Sequence, residues 1–182
     1  MKERRYKEDW VNKTRFDENG KEKRVPVYRG PLFSLPSGQD KRELLLSALL
    51  PWIVYLVLLL LYFRLDFPGA RVLYVFLPAA LGLFPCVYWA MGIWGVYRAP
   101  DRMTRLQKEN GIGRVLRSAA GCTVFSAAAL VGEAVFLLSS GDASLEWPGI
   151  LMLAASAVLA FTAVSHYRAV HRQLSEERGA DS

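Results

Sequence analysis

Cysteine and histidine are nearly missing from these 182 residues, with two of each. Cys86 and Cys122 sit inside apolar stretches, and their spacing fits neither a metal site nor a redox pair. They read as small apolar packing residues. That disfavours four-helix membrane oxidoreductases that make disulfides, and scaffolds stapled through external loops. His166 and His171 are five apart and do not share a helical face, so they form no metal pair. The chain also lacks a glycine-rich phosphate loop, a nucleophile–base arrangement and a carboxylate pair in its linear order. The sequence therefore predicts no catalytic residues, no metal and no cofactor.

Charge is missing too, but only in places. Leu44–Phe63 holds no charged residue in 20 positions and Val72–Tyr97 none in 26. Ser118–Leu138 holds only Glu133 in 21, and Trp147–Tyr167 only His166 in 21. A bilayer core about 30 Å thick takes roughly 20 helical residues to cross, and each block is that long. Helices buried in soluble proteins seldom run so far without a charge on any face. The first block starts too late and runs too long for a signal-peptide core, so a cleaved leader is not expected. The expected fold is an all-α integral membrane protein, an antiparallel bundle of four transmembrane helices at about 44–63, 72–97, 105–138 and 147–167. A basic segment (1–43) precedes this domain (44–167) and a short tail (168–182) follows it.

The charges that are present set an orientation. Of 23 Lys and Arg, 12 precede the first block, six lie in the middle connection and three in the tail. Only Arg64 and Arg71 lie in the two remaining loops. Basic residues collect on the cytoplasmic side, so both termini and the middle connection are expected there, in the cell membrane. The two outer loops, about eight residues each, force antiparallel neighbours and leave no room for an external domain. Trp52, Tyr62, Tyr74, Trp94, Tyr97, Trp147 and Tyr167 lie toward the block ends, as an interfacial aromatic belt would.

The basic segment alternates around Asn19-Gly20, a pair suited to a tight hairpin turn. Strands are expected near 10–16 and 23–28. Eight acidic residues dilute its charge to +4, which argues against nucleic acid and leaves attraction to anionic lipid headgroups. The segment is expected to be separable, so that losing residues 1–34 leaves a folded bundle. In the middle connection, Thr104-Arg105-Leu106-Gln107 is a capping-box pattern, so the third helix should start near Arg105. Gly111 and Gly113 weaken its continuity.

Glu133 stands out against this background. Stepping back from it by helical turns gives Ala129, Ser126, Cys122 and Ala119, all small or polar; the opposite stripe, Val124, Ala128, Val131, Val135 and Leu138, is bulkier. Small residues mark where membrane helices approach closely, so Glu133 should point into the protein. Comparable faces run along Gly82 and Pro85 on the second helix and along Ser156 and Ala160 on the fourth. Pro78 leaves the Tyr74 carbonyl without its helical donor, at about the depth of Glu133, some 9 Å below the outer boundary at 1.5 Å per residue. The candidate partners of Glu133 are therefore Arg71, Tyr74 and Pro78. With no second carboxylate in its stripe, the carboxyl reads as a structural clasp more than as a proton or cation site. The functional expectation is a non-enzymatic membrane protein, an accessory or structural subunit docking on other membrane subunits or on itself. The alternative is a small transporter or channel-like oligomer using Glu133.

Overall fold

The computed structural model describes residues 9–16, 22–35, 40–65, 67–140 and 146–177. Among them, four helices are long and apolar enough to cross a membrane: Lys41–Arg64, Leu73–Arg98, Arg105–Ser139 and Trp147–Gln173. The first is a single helix, α1 (Lys41–Arg64), opened by Asp40, whose carboxylate accepts from the Arg42 N–H. The second is broken at Gly82 into α2 (Leu73–Leu81) and α3 (Leu83–Arg98). Pro78 and Pro85 flank that break. Each removes a backbone donor, and Pro85 falls in the first turn of α3, where none is needed.

The third starts with a short turn, α4 (Arg105–Lys108), passes through a π-helical bulge at Glu109–Gly113 and continues as α5 (Arg114–Ser140). The capping box is complete. Gln107 N donates to Thr104 Oγ1 at 3.3 Å and Thr104 N donates to Gln107 Oε1 at 2.9 Å. The glycines that weaken continuity mark the bulge, not a stop. Gly111 sits at a close crossing, where a Cβ on it would stand 3.1 Å from Val96, one on Gly95 2.7 Å from the Asn110 carbonyl oxygen and one on Gly92 2.8 Å from Val115. The fourth helix, α6 (Trp147–Gln173), has Pro148 in its first turn.

The helices pack in a ring: α1 against α3, α2 and α3 against α5, α5 against α6, and α6 back against α1. Ala119, Cys122, Ser126 and Ala129 line the inner face of α5 and are buried, as are Gly82, Ser156 and Ala160, while Pro85 is half-buried. Gly82 meets α5 where its carbonyl receives the Cys122 thiol at 3.9 Å. Pro85 lies against Gly121. The opposite α5 stripe is exposed at Val124, Val131, Val135 and Leu138. Tyr74, Trp94, Tyr97 and Trp147 are exposed near helix ends, but Tyr62 and Tyr167 are core residues. Tyr167 donates its hydroxyl to the Leu44 carbonyl at 2.6 Å, joining α6 to α1.

At the end that carries both described chain ends there are two small sheets. Strands β1 (Trp10–Phe16) and β2 (Glu22–Tyr28) form the expected hairpin, antiparallel, with Trp10 opposite Tyr28 and Phe16 opposite Glu22. Its turn at Asn19-Gly20 lies outside the described residues. The second sheet has no counterpart in the sequence reading. Strand β3 (Leu32–Ser34) is central, flanked antiparallel by β4 (Arg102–Thr104) and β5 (Ser175–Glu177). It ties the N-terminal segment, the middle connection and the tail into one layer. Phe33, Met103 and Leu174 are buried there, and the Lys108 ammonium stands 4.0 Å over the Phe33 ring. The Tyr28 hydroxyl adds a further tie, donating to the Pro31 carbonyl at 3.1 Å and accepting from the Arg105 N–H at 3.2 Å.

Candidate functional site

Glu133 lies on the inner face of α5, fully buried, near the end of the bundle away from the sheets. Its first partner comes from α1, diagonally across the ring. The Tyr62 hydroxyl donates to Glu133 Oε2 at 3.2 Å. Tyr62 is positioned by Phe67, whose ring centroid is 5.6 Å away. Gly149 of α6 leaves room for this pair, since a Cβ there would stand 3.2 Å from Phe67 and 3.3 Å from Tyr62.

The second partner corrects the sequence reading, which finds no carboxylate pair. Glu146, the residue before α6, is 1% exposed, and its carboxyl and that of Glu133 both lie against Gly69. Glu146 Oε1 accepts the Gly69 N–H at 3.0 Å. Gly69 opens a 3₁₀ turn (Gly69–Arg71) between the first two long helices, and its α carbon rests on the Glu133 carboxyl. A Cβ on Gly69 would stand 2.5 Å from Glu133 Oε2. Two loops and three long helices thus converge on two carboxyls.

Two oxygens of the pair, Glu133 Oε1 and Glu146 Oε2, are buried with no donor.

The three partners expected from the sequence are placed as follows. Arg71 is exposed and lines a cleft of about 380 Å³ with Phe63, Ala70 and Phe76. The Tyr74 ring is exposed, and its carbonyl, the one Pro78 frees, lies over Gly132, where a Cβ would come within 3.0 Å. The α2 segment carrying Pro78 therefore packs one residue away from Glu133. The hydrogen bond to Glu133 comes from Tyr62, which the sequence reading assigns to the aromatic belt.

A second polar cluster lies about two turns along the same core. Ser126 Oγ donates to the Tyr55 hydroxyl at 3.2 Å, and the Cys122 thiol lies beside them. Between the clusters stand Leu59, one turn from both Tyr55 and Tyr62, and Ala129, one turn from both Ser126 and Glu133. Leu59 is 1% exposed and Ala129 is fully buried. This apolar layer separates the two clusters. Among the described residues no group of three or more His, Cys, Asp or Glu could hold a metal ion.

The chain matches no protein-family model, no curated protein and no solved structure with which it was compared.

Proposed function

We propose that this chain is a non-enzymatic, multi-pass protein of the cytoplasmic membrane, a structural or accessory subunit with both termini and the middle connection in the cytoplasm. The asymmetry of Lys and Arg supports the orientation. The joining of β3, β4 and β5 in one sheet supports placing the N-terminal segment, the middle connection and the tail on one side. In this reading Glu133, Glu146, Tyr62 and Gly69 form a clasp that pins both outer loops to the bundle. The observation that carries it is the apolar layer at Leu59 and Ala129, which interrupts the polar column a transported ion would need. The small-residue faces are taken up within the bundle. Contact with partner subunits therefore falls to its outward surfaces.

One observation favours transport as the second reading: the two buried carboxyl oxygens without donors, which a proton or cation would satisfy. Two substitutions separate the readings. Glu133→Gln keeps an amide that donates to Glu146 and accepts from Tyr62, so a clasp retains its stability and its copurifying partners. Glu133→Leu removes both bonds and adds bulk on a small-residue face. Polar contacts between membrane helices are worth about 0.6 kcal/mol, reaching 1–2 in favourable cases. The Leu variant should lose about that much in detergent thermal stability. A Gln variant that is as stable as wild type but abolishes a proton-coupled flux in proteoliposomes would replace the clasp with transport.

A further inference from the structure

The ring of helices is least tightly closed between α1 and α3, and there the surface holds a groove of about 280 Å³. Its walls are Leu45, Leu49 and Trp52 from α1 and Ala90, Ile93, Trp94 and Tyr97 from α3. The groove starts at the sheet end, where α1 begins and α3 finishes, and runs about 10 Å along the bundle at 1.5 Å per residue. Its deep end is bridged by Trp52, whose indole N–H donates to the Cys86 carbonyl at 3.0 Å.

Three basic residues, Lys41, Arg42 and Arg98, stand at the mouth, with Asp40 and Asp101 close to them in the chain. Lys41 lies one turn before Leu45 on the same stripe, and its ammonium reaches across to donate to the Ala99 carbonyl. That contact uses one of its three donors. Arg98 stands over the Trp94 ring, 4.6 Å from the centroid. Trp94 also stacks on Tyr97, with centroids 5.7 Å apart, which fixes the guanidinium beside the groove. Arg42 flanks the same stripe, while Glu43 falls on the opposite side of α1 by helical periodicity. Two of the three cations are thus held in place by contacts at the groove.

An apolar slot opening at a set of cations suits an amphiphile with an anionic head. We propose that this groove is a binding site for an anionic phospholipid of the cytoplasmic leaflet, with one acyl chain lying along α1 and α3 and the phosphate held by Lys41 and Arg98. The site differs from the general attraction of the basic hairpin because it requires both a chain slot and a fixed head position. It rests on the membrane-spanning reading of the helices.

The test uses the full-length protein, extracted in mild detergent, stripped of lipid and titrated with equal amounts of phosphatidylglycerol and phosphatidylcholine of the same acyl chains. Retained lipid is counted by native mass spectrometry. A basic residue near a headgroup favours an anionic lipid roughly five-fold. Wild type should prefer phosphatidylglycerol, Arg98→Gln should lower that preference about five-fold, and Arg98→Lys should retain most of it. Ala90→Phe fills the slot and should reduce retention of both lipids. Equal retention of the two lipids by wild type would overturn the site. So would a preference that survives Arg98→Gln together with Lys41→Gln, or one that disappears when residues 1–29 alone are removed. A chain recovered without detergent in the soluble fraction would instead refute the membrane-spanning reading itself.

Discussion

At the scale of single residues, Gly69 is the most constrained position in the candidate clasp. Its N–H serves Glu146 and its α carbon rests on the Glu133 carboxyl, so a methyl group has no space. Overpacking a close contact costs about 1–3 kcal/mol, and Gly69→Ala should lower detergent thermal stability by that order. The cause can be isolated with a double-mutant cycle. In a Glu133→Ala background the carboxyl is gone and Gly69→Ala should cost much less. An equal cost in both backgrounds would mean that Gly69 is needed for its backbone and not for this contact. Gly30 has a similar restriction at the hairpin end, where a Cβ would stand 2.5 Å from the Tyr28 hydroxyl.

At the scale of elements, the informative one is β3. It belongs to the N-terminal segment by sequence, yet its partners are β4 and β5. Removing residues 1–29 deletes the hairpin and leaves β3 paired. Removing residues 1–34 takes β3 away, exposing Met103 and Leu174 and leaving the backbones of β4 and β5 without their ladder. Unpaired strands and exposed apolar side chains open locally at low free energy. Limited proteolysis should therefore cut the shorter chain at 99–104 and after 173 several-fold faster than either wild type or the chain lacking 1–29. Equal rates for the two truncations would show that β3 holds neither partner in place. The four helices should survive both deletions, since the Tyr167–Leu44 and Ser126–Tyr55 hydrogen bonds run from helix to helix.

At the scale of the whole molecule, orientation is the measurable quantity. With Cys86 and Cys122 replaced by alanine, single cysteines at Asn12, Asp101 and Gln173 should resist an impermeant thiol reagent in intact cells. Cysteines at Leu65 and Ser139 should react. All five positions are exposed, so burial does not confuse the readout. Labelling of the first group without lysis would invert the orientation and move the proposed lipid groove to the other leaflet. The sheet makes a further demand, because β3, β4 and β5 share hydrogen bonds. Asp101 and Gln173 must therefore behave alike whichever side they occupy.

The sequence by itself determined the number, length and approximate ends of the four helices, because a long uncharged run has only one economical way to satisfy its backbone. It also determined that Glu133 faces inward, because small and bulky residues segregate with the helical period. The hairpin strands and the capping box were legible for the same reason: each is set by residues a few positions apart. What only the tertiary structure decided was which distant residues meet. Glu146 lies 13 positions from Glu133 and Tyr62 lies 71, and neither offset is a helical repeat that a stripe could reveal. The three-residue strands β3, β4 and β5 are too short to carry a periodic signal and exist because three separate segments leave the bundle at one end. Local pattern sets which face a residue presents; packing across the ring sets what that face touches.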